Sequence, residues 1–147
     1  MESRNSISML LEQTANAFGT RASKQLQPYG ITYTQTLVLC LLVNTFGGSC
    51  LQSELRKEMG VSGPALSGIL KRLEKCGFVV KADDPMDTRK NRVSASDKAF
   101  ECMPALTACL EACEKQALSG LCAAEIDMLM EDFLRILENC TKEKTVS

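Results

Sequence analysis

Six basic side chains crowd the middle of the chain. Lys71, Arg72 and Lys75 share a stretch of helical periodicity, and Arg89, Lys90 and Arg92 follow in a segment rich in loop formers. Ammonium and guanidinium groups held in fixed geometry bind phosphate oxygens, and arginine also reads a guanine edge through paired hydrogen bonds. Ser62, Pro64 and Ser67 precede or interleave with the first cluster and would come nearest to base edges, with the cations on phosphates. Other chemistries find little material. There is no histidine, no glycine-rich phosphate loop and no nucleophile elbow, so neither an enzyme nor a bound cofactor is expected.

The elements that must position these residues can be read between Ser49 and Ser96. Ser49 is a good N-cap with Gln52 three residues on, which predicts a helix starting there. Leu51, Leu55 and Met59 form its apolar stripe, and Gly60 can end it. Gly60, Val61 and Ser62 make a short turn of helix-turn-helix length. Ser62 caps a second helix with Pro64 in its first turn. Ala65, Leu66, Ile69, Leu70 and Leu73 recur at helical spacing and should bury. The opposite face carries Pro64, Ser67, Gly68, Lys71 and Lys75, with Arg72 at its edge. A glycine inside a helix costs roughly 1 kcal/mol against alanine. Gly68 therefore marks either a close approach of DNA or an unconstrained exposed position.

Gly77 ends that helix. Phe78 to Lys81 reads as a strand and Asn91 to Ala95 as its return. Between them, ADDPMDTRK is a charged tip. Helix, turn, helix and hairpin make a winged helix-turn-helix, whose second helix would enter a major groove while the hairpin reaches the adjacent minor groove.

At this point the segment resembles the MarR family of bacterial transcription regulators. The pattern D-P-x-D-x-R, here Asp84, Pro85, Asp87 and Arg89 followed by Val93, is similar to that family's wing motif, and ALSGILKRLEKCGFV to its recognition-helix pattern. The resemblance extends to the T-x-x-Q opening of an earlier helix and an L-x-x-x-E near the last one. Thr88, Gly68 and Ala95-Ser96 differ from the family's usual residues. The resemblance implies an obligate homodimer built from both chain ends and a palindromic double-stranded DNA target. It also implies that Arg89 is the minor-groove residue. A ligand between the DNA lobe and the end helices (a small aromatic or phenolic effector), or modification of a cysteine, would change the spacing of the two reading heads. Asp87 is expected to orient the wing by ion pairing.

Composition sets the frame. The chain has 147 residues and a net charge of −1, one domain's worth with room for a core. Between Cys50 and Ala95 there are nine basic and six acidic side chains, so the rest of the chain is acidic. A basic middle within acidic flanks suits a DNA reader with a protein-facing region. No run of 18 apolar residues appears, and MESRNSISMLLEQT lacks the plan of a signal peptide. A cytoplasmic protein without membrane attachment is expected.

The eight cysteines are scattered without a C-x-x-C pair, which predicts free thiols and no metal site. Cys102, Cys109 and Cys113 share one side of a helix. They read either as a thiol sensor or as small apolar residues on a buried stripe, and Cys76 beside Lys75 is a further candidate thiol. The peroxide sensors of the resembled family carry their reactive cysteine in the first helix, where this chain has none.

In chain order, a first helix is predicted over 6–25, capped by Ser3 or Ser6, with Ile7, Leu11, Thr14, Phe18 and Ala22 along one side. Thr32 and Gln35 form a capping box that opens a helix through Val43, and its all-round apolarity places it centrally. Ser96 caps a long helix to about Ser119, which Pro104 should kink. The last helix spans about 123–142, with Ile126, Leu129, Met130, Phe133, Leu134 and Leu137 on one face. The expected architecture is mainly α, a single domain over 1–147. Within it, 33–96 form the winged helix-turn-helix, and 1–30 and 97–147 are dimerisation helices. These end helices either join two copies or complete a monomeric core. A second function class, a winged-helix protein–protein adaptor without DNA contact, is separated from the first by salt-dependent binding to DNA.

Overall fold

The computed structural model describes residues 6–142. The proposed cap Ser3 lies outside the described residues. Six α-helices and three short strands follow in the order α1 (Ile7–Leu26), α2 (Tyr33–Cys40), β1 (Ser49–Leu51), α3 (Gln52–Met59), α4 (Gly63–Lys75), β2 (Val79–Asp84), β3 (Asp87–Ala95), α5 (Asp97–Ala117) and α6 (Ala123–Thr141). The chain divides into two compact units, one up to Cys113 and one from Glu114 onward.

Local caps set most boundaries. Ser6 Oγ accepts the Met9 amide. Thr32 and Gln35 exchange both bonds of a capping box, at 2.9 and 3.3 Å. Ser62 Oγ accepts the Ala65 amide and Ser96 Oγ the Ala99 amide. Each satisfies an amide that the first turn of a helix leaves without an internal partner. Beyond Cys40 the backbone widens into a single π-turn over Leu41–Thr45. The π-turn delivers the chain to Gly48, which is buried at φ +105°; a Cβ there would lie 2.7 Å from the Phe100 ring. Only glycine satisfies both conditions. Helix α5 runs unbroken through Pro104.

Two expectations need correction. Ser49 does not cap a helix. Residues Ser49–Leu51 are a strand, paired antiparallel with β3 in the register Ser49↔Ser94, Cys50↔Val93 and Leu51↔Arg92. The sheet claims this backbone, and α3 starts three residues later. There the Glu54 carboxylate accepts the Leu51 amide at 2.9 Å, and Gln52 sits in the first turn rather than at N3. The wing strands are also longer than expected. Asp83, Asp84 and residues from Asp87 onward are ladder members, leaving Pro85 and Met86 alone at the turn. A register irregularity at Asp83/Asp84 accommodates the tight reversal. The three-stranded sheet has the order β1-β3-β2.

The first unit's core lies between α4, α2 and the base of the sheet. Leu39, Leu42, Leu55, Leu66, Leu70, Leu73, Phe78, Val93 and Leu106 are fully buried within it. Ala65, expected inside, is exposed, and Ile69 is half-buried. On α1, Ala22 and Leu26 are buried and Phe18 meets Tyr33 edge-to-face at 5.3 Å. The start of α1 behaves differently, leaving Ile7, Met9, Leu10 and Leu11 exposed. In the second unit α6 has no buried residue. Its apolar face presents Met130, Phe133, Leu134 and Leu137 to the surroundings, with Ile126 and Leu129 half-covered.

Phe78 anchors the step from α4 into the wing. Its amide donates to Leu73 O at 2.9 Å, and the Lys98 ammonium lies 4.6 Å from the ring centroid. Truncating a fully buried phenylalanine removes transfer energy and leaves a cavity. Phe78→Ala should lower unfolding stability by about 3–5 kcal/mol, read from the denaturant midpoint.

Candidate nucleic-acid interface

Helix α4 is amphipathic with a narrow inner stripe. Leu66, Leu70 and Leu73 are fully buried, so helical geometry turns Pro64, Ser67, Gly68, Lys71 and Lys75 outward; all five are exposed. Lys71 and Lys75 form no ion pair among the described residues. Gly68 has negative φ, and a Cβ there would meet nothing within 4 Å. The fold therefore makes no demand for glycine at this position. Gln52, in the first turn of α3, reaches across to α4 and donates through Nε2 to Ser67 Oγ at 3.3 Å.

Arg72 faces another way. Its Nε and Nη2 donate to the Gly30 carbonyl at 3.3 and 3.0 Å, and the Cys76 thiol points at the same oxygen at 3.7 Å. The guanidinium clasps the end of α4 to the α1–α2 turn. Its first role is to hold the helix in place, and only its remaining N–H groups face outward. Arg92 is likewise occupied. Its Nε lies 3.4 Å from Asp84 Oδ1, and its Nη1 donates to Ser49 Oγ at 3.0 Å. Asp84 is a buried charge, and burial without a partner would be costly. Arg92 therefore ties the base of the wing to β1.

At the wing tip, Arg89 is freely exposed, with 89% of its side chain accessible. Its Nε and Nη2 donate to the two carboxylate oxygens of Asp87 at 3.0 and 3.1 Å, and its backbone amide donates to Oδ1 at 3.1 Å. The guanidinium, and then the amide, hold the Asp87 carboxyl below the usual carboxylate range, and the pair raises Arg89 in turn. Three bonds from one side chain to the next residue but one preset the direction of Arg89 before any ligand arrives. Lys90 is exposed beside it, and Met86 at the turn is 92% exposed.

The thiols have a different character. Burial pushes Cys40 up, and it pushes Cys50 to about 11, with Glu54 adding to the effect and Arg92 opposing it. Cys109 is raised by burial and then by its neighbour Cys113. A thiolate sensor needs the opposite shift. Cys113 is buried, and Cys76 and Cys102 are half-buried. No group of three or more histidine, cysteine or carboxylate side chains able to hold a metal occurs among the described residues.

Residues 52, 67 and 72 thus form links that the sequence reading did not anticipate. In sequence Gln52 looks like the partner of a Ser49 capping box, and nothing local signals its reach to Ser67. The contacts of Arg72 and Arg92 join residues 42 and 43 positions apart, beyond any periodicity argument.

A turn held by Gly60 at φ +70°, an amphipathic second helix with an exposed basic face, and a two-stranded hairpin buttressed by a third strand define a winged helix-turn-helix. Known proteins with similar sequence or fold carry the same motif. The MarR family model matches residues 29–90. The HTH-type transcriptional regulator TtmR of Methylorubrum extorquens (strain PA1) is 32% identical over 96 residues, a match covering 61% of this chain and 48% of that protein. The chain thus matches about half the length of that relative. Among solved structures, a probable transcriptional regulator from Pseudomonas aeruginosa is 27% identical, with a TM-score of 0.76 over 90% of this chain and 97% of that one. The S. aureus MepR–DNA complex shares the fold, with a TM-score of 0.79 at 21% identity over 95% and 100% of the two chains. The likeness to the MarR family model spans the winged-helix segment, and the first two of these relatives are named as transcriptional regulators.

Two outcomes follow from the geometry. Gly68→Ala should raise the stability of the free protein by about 0.5–1 kcal/mol, since nothing crowds the position and alanine is the better helix former. The Asp87–Arg89 pair has a folded carboxyl pKa below its unfolded value. It is therefore intact above the ordinary aspartate range and lost as pH falls through the lowered value. In a carboxyl NMR titration, Arg89→Ala should move the Asp87 midpoint upward.

Proposed function

We propose that this chain is a sequence-specific double-stranded-DNA-binding transcriptional regulator. The observation that carries the reading is the outward basic face of α4, Lys71 and Lys75, in the same compact unit as a wing whose Arg89 is held in a set direction. The solved DNA complex of a protein with this fold supports it. In this reading α4 enters a major groove, its lysines contact phosphates, and Ser62, Pro64 and Ser67 lie nearest the bases. Arg89 and Lys90 follow the adjacent minor groove, where a narrow A·T-rich stretch has enhanced negative potential. Arg72 and Arg92 serve mainly to hold the two reading elements.

The reading extends to a homodimeric repressor. The exposed apolar residues at the start of α1, and separately those along α6, are the kind of surface that a second copy covers. Residues 33–96 are then the reading lobe, and the helices within 6–30 and 97–142 the dimerisation helices; the outermost residues of the proposed spans 1–30 and 97–147 lie outside the described residues. A twofold axis would set two recognition helices about 34–36 Å apart, matching successive major grooves of a palindrome. In this reading the releasing signal is a small aromatic or phenolic molecule or a thiol-reactive one, and the upward shift of the Cys109 thiol speaks against that cysteine as the reactive group. An open groove of about 780 Å³ along α1 and α2, lined by Gly19, Thr20, Ser23 and Tyr33 among others, is of ligand size.

Arg89→Ala should weaken binding to a selected duplex by more than about ten-fold at physiological salt. Lys71→Ala should reduce the slope of log affinity against log salt by about one unit. Wild-type protein that binds no duplex at low ionic strength would remove the DNA reading and leave the adaptor function.

A further inference from the structure

Gln52 occupies an unusual position. Its Nε2 donates to Ser67 Oγ at 3.3 Å, while its Oε1 is enclosed and has no hydrogen-bond partner among the described residues. Enclosing an unpaired amide oxygen costs stability, and an aliphatic side chain of similar length would avoid that cost. Turning the amide over would be worse, because it would enclose an NH2 group in place of a single carbonyl oxygen. The amide orientation is thus determined by its surroundings, and it makes Gln52 the donor toward Ser67.

The consequence falls on the hydroxyl. A serine Oγ carries one proton and two lone pairs. With a lone pair occupied by the Gln52 N–H, the Ser67 proton points away from Gln52. Ser67 is exposed on the outward face of α4, and beside it Gly68 leaves open space on which no side chain stands.

We propose that Gln52 is a positioning residue that fixes Ser67 as a hydrogen-bond donor toward an acceptor on DNA, a phosphate oxygen or an acceptor edge of a base in the major groove. The inference rests on the DNA-binding reading above and deepens it by assigning a polarity to one contact. The Gln52 amide touches no base itself; it acts through the hydroxyl.

The test uses the full chain and a duplex that wild-type protein selects from a random-sequence pool. Ser67→Ala and Gln52→Ala should each weaken binding about ten-fold. The double variant should bind no more weakly than Ser67→Ala alone, because the amide acts only through the hydroxyl. Gln52→Met, which keeps the stem and drops the amide, should show the same loss while melting no lower than wild type. Gln52→Glu, an acceptor only, should turn the Ser67 proton inward and bind at least as weakly as Gln52→Ala. Losses that multiply in the double variant would mean that Gln52 contacts DNA directly, and would overturn the proposal. Wild-type affinity in Gln52→Met, alongside weakened Lys71→Ala and Arg89→Ala, would overturn this inference and leave the DNA reading standing. If the pool yields no duplex, both fall together.

Discussion

The arrangement depends on the three leucines that fasten α4 to the core. Leu66, Leu70 and Leu73 are fully buried, and their spacing determines which side of the helix is left outside. Rotation of α4 by one residue would expose leucine and bury lysine, at a cost of several kcal/mol. Ser67, Gly68, Lys71 and Lys75 thus form the outer face because the inner one is so firmly committed. Arg72 secures the same helix at its C-terminal end, through two bonds to the Gly30 carbonyl. Hydrophobic burial sets the rotation of the helix, and a directional polar clasp sets where it ends.

The wing uses the same division of labour. Val93 is buried at the base of β3, and β1 adds a third strand where a bare hairpin would be marginal in water. Arg92 joins β3 to Asp84 of β2 and Ser49 of β1. A cation that looks, in sequence, like part of a binding cluster is therefore spent on internal order. The cations left outermost on the wing are Arg89 and Lys90, and Arg89 is preset by Asp87. A preset side chain gives up less rotamer freedom on binding than a floppy one does.

Much of this was legible from residue types. The caps Ser6, Thr32 with Gln35, Ser62 and Ser96, and the turn at Gly60, follow from local chemistry that does not depend on the rest of the fold. The periodicity of α4 marks its buried leucines, with Ala65 exposed and Ile69 half-buried instead, and the wing motif marks the hairpin. The strand Ser49–Leu51 was not legible, because its partner lies some 45 residues on and a serine before a helix looks like a cap. Nor was the length of the wing strands, since Asp83, Asp84 and Asn91 are poor strand formers whose pairing is imposed by the ladder. The inward turn of Arg72 and Arg92 was hidden for a related reason. A basic residue advertises its charge in the sequence but not which carbonyl or carboxylate it will meet.

The apolar residues left outside complete the account. Ile7, Met9, Leu10 and Leu11 on α1, and Met130, Leu134 and Leu137 on α6, exceed what scattered surface exposure requires. In the proposed reading a second copy covers them, and the outer face of α4 and the wing meet DNA. Amide hydrogen exchange, measured with and without a duplex that the protein itself selects, tests this assignment most directly. Protection appearing over residues 62–75 and 84–92, with α6 unchanged, is the predicted result. Protection that appears along α6 while α4 and the wing exchange as before would contradict it.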